Sequence, residues 1–258
     1  MNVLPPSALF PRLVRERRVP ARARQSGIGL LELLVVIAIS LFMLAGLFSM
    51  VYGTRQNFLA QNQLAQLQDS ERLAMNLVTN VVQTAGYFPN PATSTSTQAL
   101  PVVTGVFATA GQSVYGTTPT TGDQLAIRYV AGSNDGVMDC NGQTNGSGAS
   151  QTDINLLYVD VVNKQLVCQV TANGVAGAAN PLVSGVSGMA VLYGVDTNGD
   201  GAVDQYMTAT QVNTANSWLS VLSVRVTLTF SYQLAGMTAG SATNTVQLTR
   251  NIDLLNRT

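Results

Sequence analysis

Apolar residues run almost unbroken from Gly27 to Tyr52, GIGLLELLVVIAISLFMLAGLFSMVY, with one acid among them, Glu32. About 20 apolar residues at a rise of 1.5 Å cover a bilayer core of about 30 Å, so residues 28–52 are predicted to cross a membrane as a helix. After Tyr52 the pattern changes without breaking. Ala60, Leu64, Leu67, Ala74, Val78, Val81 and Ala85 recur mostly three or four residues apart, and polar residues fill the other faces. That period predicts an amphipathic helix. No proline occurs between Ile28 and Phe88; Gly86 is placed to cap the helix, and Pro89 and Pro91 to stop it. The two stretches read as one helix of about 60 residues, about 90 Å long if straight.

Beyond Pro91 the period shortens to two. After a polar stretch, residues 90–98, strand-like runs are predicted at residues 101–107, 124–129, 154–162, 165–170 and 189–195. The clearest spans residues 219–232, where Leu222, Val224, Val226, Leu228 and Phe230 alternate with Ser223, Arg225, Thr227 and Thr229. A last run, 245–254, alternates similarly, although Arg250 falls on its apolar side. Such alternation predicts antiparallel strands with one face on a core. Residues 132–152 and 171–181, rich in glycine, serine and asparagine, are expected to be loops. The class is α+β: a long N-terminal helix whose lower half packs on an antiparallel sheet. Four segments are expected: 1–27 as a basic leader, 28–52 as the membrane helix, 53–88 as its amphipathic continuation, and 89–258 as a β-rich domain.

Charge gives this plan a direction. Six of the thirteen basic residues (Arg12, Arg15, Arg17, Arg18, Arg22 and Arg24) precede Gly27, opposed only by Glu16. That bias keeps the N-terminus cytoplasmic and sends the rest outward. Past Tyr52, seven basic residues face eleven acidic ones. A mildly acidic exported domain is not a general DNA-binding surface, and no specific nucleic-acid site is evident. The chain has no histidine, which removes His-based catalysis and His-ligated metals. Its two cysteines, Cys140 and Cys168, are expected to form a disulfide in an exported domain, two free buried thiols being the alternative. No nucleophile motif is present, so an enzyme is not expected; the Gly185–Gly188 run lacks the G-x-S-x-G spacing.

Glu32 needs an explanation. A carboxylate inside a spanning segment costs up to about 2.5–3.5 kcal/mol at the centre, less toward an interface, and normally has a partner. Cutting after Gly27 would supply one, the free amine of Ile28. A basic leader, Gly27, four apolar or small residues and then Glu32 resemble the prepilin signal of type IV pilins and type II secretion pseudopilins. The resemblance implies cleavage between Gly27 and Ile28 by a prepilin peptidase and methylation of Ile28. It also implies a pairing of Glu32 with a neighbouring subunit's amine during assembly. Gly29 stands where that family more often has Thr or Ser, and the leader is long. Later segments are similar to the PilW-type minor pilins, a subgroup related to the J-type pseudopilins: DQLAIRY (123–129), DGVMDCNG (135–142), KQLVC (164–168), SVRVTLTF (223–230) and LTRNIDLLNR (248–257). The resemblance implies a non-enzymatic subunit that helps initiate a type IV pilus at its tip. Its partners would be the peptidase, other minor pilins, the major pilin and a tip adhesin. It would reside in the inner membrane before assembly and in the periplasm and pilus afterwards.

One further motif can hold a ligand. Asp196, Asn198, Asp200 and Asp204 stand at positions 1, 3, 5 and 9 of a loop with Gly201 at position 6, which resembles the first part of an EF-hand. Met207 replaces the closing glutamate, so a complete EF-hand is excluded. No cofactor is required. Ca²⁺ at these four residues and a bare Asn-Gly/Asp-Gly turn are the two readings of the loop. The alternatives for the whole chain are a J-type pseudopilin and a membrane-anchored calcium-binding adhesion module that never polymerises.

Overall fold

The computed structural model describes residues 29–233 and 244–256. Gly27 and Ile28 lie outside them. A helix, α1, runs from Leu30 to Gln83 with no break, as expected where neither proline nor glycine clusters interrupt good helix formers. The chain divides into two compact units after Gly53.

In the first unit the described residues are the apolar turns of α1, and all are exposed, Phe42 at 82%. The helix is long and apolar enough to cross a membrane. Ser40, the polar residue in mid-stretch, returns its hydroxyl to the Ile37 carbonyl at 2.9 Å, so no donor is left bare there.

The second unit begins with the remaining turns of α1. Ala74, Met75, Val78, Val81, Val82 and Ala85 are buried, with Leu67 and Leu77 packed at the margin of the same core. Leu64, expected on this stripe, is exposed at 39%, because the core starts only about a turn below it.

Two antiparallel sheets share that core. The first is ordered β1-β2-β3-β4-β5, from Val114–Thr117, Gln124–Ala131, Gln151–Asp160, Gln165–Ala172 and Val175–Ser184. The second is ordered β7-β6-β8-β9, from Gln205–Met207, Val186–Val195, Val221–Tyr232 and Asn244–Asp253. Short helices α2 (Ser96–Ala99) and α3 (Ala209–Ala215) lie in the connections. Along β8, Val224, Val226, Leu228 and Phe230 are buried while Arg225, Thr227 and Thr229 are only partly covered, the alternation expected of a one-sided strand. β2 differs, with seven of its eight residues buried. Its second face is covered by the segment after α1, where Phe88 and Leu100 pack on Val130.

Three expectations change. A strand at 101–107 reduces to an isolated bridge between Val103 and Phe107. The sheet is two sheets, and the expected loop at 171–181 contains the end of β4 and most of β5. Arg250, out of place as a core residue, lies opposite Val226 on β8 and reaches α1, donating to Thr79 Oγ1 (3.1 Å) and Asn76 Oδ1 (3.3 Å). It sits where the sheet edge meets the polar flank of the helix.

The end of α1 is closed by distant residues. Gly86 adopts φ +77° and donates its N–H to the Arg128 carbonyl at 3.0 Å. A Cβ there would approach the Asn256 carbonyl oxygen to 2.5 Å, so the position requires glycine twice over. The Asn256 carboxamide donates to the carbonyls of Gln83 (3.1 Å) and Ala85 (3.4 Å), acceptors with no partner inside the helix.

Candidate functional site

Glu32 occupies the first turn of α1 and is exposed. Its N–H donates to the Gly29 carbonyl at 2.9 Å, which starts the helix at that point. A carboxylate in a first turn also faces the positive end of the helix dipole, which offsets part of its cost in an apolar setting. With its neighbours Leu31, Leu33 and Leu34 all exposed and apolar, Glu32 is the one charged group on this stretch of helix.

The four acidic-loop residues are brought together between β6 and β7. Asp196 Oδ1 accepts from the N–H groups of Asn198 (3.2 Å) and Gly199 (2.6 Å), and its Oδ2 from Gly201 (2.8 Å). Those bonds, Gly201 first, hold its pKa below the ordinary carboxylate value. Asp204 is lowered chiefly by the Thr197 hydroxyl, 2.8 Å from Oδ2, and then by the Thr197 N–H. The Asn198 amide nitrogen stands 3.2 Å from both Asp200 Oδ2 and Asp204 Oδ1. The loop therefore closes on its own hydrogen bonds, with an amide donor where the carboxylates converge. Among the described residues no three or more His, Cys, Asp or Glu side chains gather into a metal-binding group.

Cys140 and Cys168 form a disulfide with a Cα–Cα distance of 6.3 Å, both buried. It ties residues 132–150 to β4. Within that loop Asp135 accepts from the N–H groups of Gly132 and Val137, and Asp139 from those of Asn141 and Gln143, so both carboxylates shape turns.

Two features carry no signal in the pattern. The first is Arg128, fully buried on β2. Its guanidinium donates to the carbonyls of Gln112, Pro101 and Leu100 and lies 4.4 Å from the Phe107 ring centroid. Burial lowers its pKa to about 10, so it stays charged at neutral pH. The second is an aromatic cluster. Trp218 meets Tyr193 edge-on at 4.9 Å and Tyr115 at 5.4 Å, and donates its indole N–H to Asn213 at 2.7 Å. Gly116 makes room for it: a Cβ would fall 1.9 Å from the Tyr193 hydroxyl.

A long helix with an apolar head and a lone first-turn acid, followed by antiparallel sheets packed on its lower turns, defines a pilin-like protein. Comparison with protein families agrees. The prokaryotic N-terminal methylation motif matches residues 22–48, and the type IV pilus-assembly protein W family matches residues 143–257. Together these matches support a type IV pilus-related, prepilin-like protein of the PilW type. No curated protein and no solved structure matches it.

Proposed function

We propose that this chain is a structural, non-enzymatic minor pilin that helps initiate a type IV pilus at the filament tip. The observation that carries this reading is the exposed apolar head of α1 with Glu32 in its first turn, inside the matched methylation motif. In lipid the carboxylate is costly, and the methylated amine of a neighbouring subunit's Ile28 relieves that cost, which favours assembled over isolated subunits. A prepilin peptidase cuts between Gly27 and Ile28. Other minor pilins, the major pilin and a tip adhesin are the assembly partners, met after the chain has waited in the inner membrane with its β domain in the periplasm. The test is the intact mass and N-terminal residue of the chain made with and without a prepilin peptidase. A product beginning at methylated Ile28 is expected only with the peptidase; a chain left uncut by an active peptidase overturns the reading.

For the acidic loop the proposal is weak Ca²⁺ exchange at Asp196, Asn198, Asp200 and Asp204. Binding would require the Asn198 carboxamide to turn its oxygen toward Asp200 and Asp204, where its nitrogen now donates. That cost points to the millimolar range typical of extracellular calcium modules. Calorimetry with Ca²⁺ should give saturable heat that disappears in Asp204→Asn. No heat at about 10 mM leaves the loop a hydrogen-bonded turn.

A further inference from the structure

The five-stranded sheet ends on an open edge. β5 pairs with β4 on one side and with no described strand on the other. Residues 175–181 are all exposed, Val175 at 73%. No charged residue occurs between Lys164 and Asp196. Proteins normally blunt such edges with lysine, inward charges, proline or bulges, because unpaired N–H and C=O groups template another strand. Here Pro181 and two bulges, whose extra residues (at Gly177/Ala178 and at Leu182) lie in β5 itself, interrupt the edge, but no lysine or inward charge guards residues 175–180.

Beside this edge is a trough of about 290 Å³. Gly177 and Ala178 of β5, Asp139 and Asn141 of the disulfide loop and Asp153 of β3 line it. Asp153 is only 4% exposed, and Gln151 Nε2 donates to it at 2.7 Å. Among the described residues that line the trough there is no lysine or arginine. Burial first, then the Asp139 charge, raises the Asp153 pKa, as expected of a carboxylate with no cation beside it.

We propose that β5 is a strand-addition edge whose partner is an extended polypeptide segment bearing a lysine or arginine, paired along residues 175–180, with the basic side chain entering the Asp139/Asp153 trough over Gly177 and Ala178. Backbone pairing supplies affinity with little regard to sequence, and the trough supplies the sign of the charge. A second copy of β5 would offer a strand without a base. The inference stands on the β domain alone and does not depend on how the N-terminus is processed.

The test uses the full chain in detergent micelles and fluorescein-labelled ten-residue peptides of alternating Thr and Val with a central Lys, Gln or Glu. Fluorescence anisotropy should show the Lys peptide binding about tenfold tighter than the Gln peptide, and the Glu peptide weakest. Asp139→Asn combined with Asp153→Asn should bring the three to one affinity. Of Ala178→Pro and Ala179→Pro, the one that removes an outward N–H should weaken all three while circular dichroism shows the sheets intact. The proposal fails if no peptide binds at about 1 mM, or if the preference for Lys survives the double Asn variant. It fails equally if the chain self-associates through β5 and excludes every peptide.

Discussion

Glu32→Ala should give a chain that is cleaved and inserted normally and yet is missing from filaments. Removing a carboxylate from the apolar segment makes insertion easier, by up to about 2.5–3.5 kcal/mol if the residue sits deep and by less near the interface. The same change removes the group that draws a neighbour's amine. Loss of one such pair at a desolvated site corresponds to at least about 1.4 kcal/mol, or about a tenfold fall in incorporation. Immunoblots of sheared filaments against membranes measure it directly. Glu32→Asp should recover part of the signal, since it keeps the charge on a shorter arm. Equal incorporation of wild type and Glu32→Ala would remove Glu32 from the assembly mechanism while leaving peptidase cleavage untouched.

Arg128→Met should be the most damaging single change in the β domain. The carbonyls of Leu100, Pro101 and Gln112 converge on one guanidinium; those of Pro101 and Gln112 lose the donor it supplies, while that of Leu100 keeps the Gly111 N–H at 2.8 Å. Each buried acceptor left bare costs about 1–3 kcal/mol, partly offset because a charge no longer has to be buried. A net loss of about 3 kcal/mol is expected, equivalent to a fall in Tm of roughly 6–12 °C for a domain of this size. Arg128→Lys should fall between the two, because one ammonium keeps the charge but cannot span the carbonyls in the fork geometry. Thermal unfolding of the full chain in micelles by circular dichroism is the measurement. A shift below about 1 °C for Arg128→Met would mean that residues 86–113 hold to β2 without it.

What could be read from the sequence follows from how one-sided each element is. β8 and β9 were legible because one face is buried and the other wet, so Val224, Val226 and Leu228 alternate with Arg225, Thr227 and Thr229. β5 was illegible because residues 175–181 are exposed throughout and no period is imposed on them; Gly177, Ala178 and Asn180 read as loop. The run 101–107 failed for the opposite reason. Phe107 is apolar because it packs under Arg128, not because it lies in a sheet. α3 did leave a signal, the capping box of Thr208 and Gln211, but the helix it starts is only seven residues long and makes no stripe. In the candidate sites, the disulfide partners and the acidic turn followed from residue type and spacing. The carbonyl cage of Arg128 and the trough between Asp139 and Asp153 depend on contacts across folded segments, which no local pattern records.

The Asn256 carboxamide that closes α1 lies 173 residues beyond the Gln83 carbonyl it satisfies. Chains are made from the N-terminus at about 5–20 residues per second, so the last turn of the helix waits roughly 10–35 s for its cap. Over that interval the apolar head is already complete while the stripe of Met75, Val78 and Val82 has none of its β8 and β9 partners. The order of synthesis thus gives this protein a period in which it is anchored but unfinished.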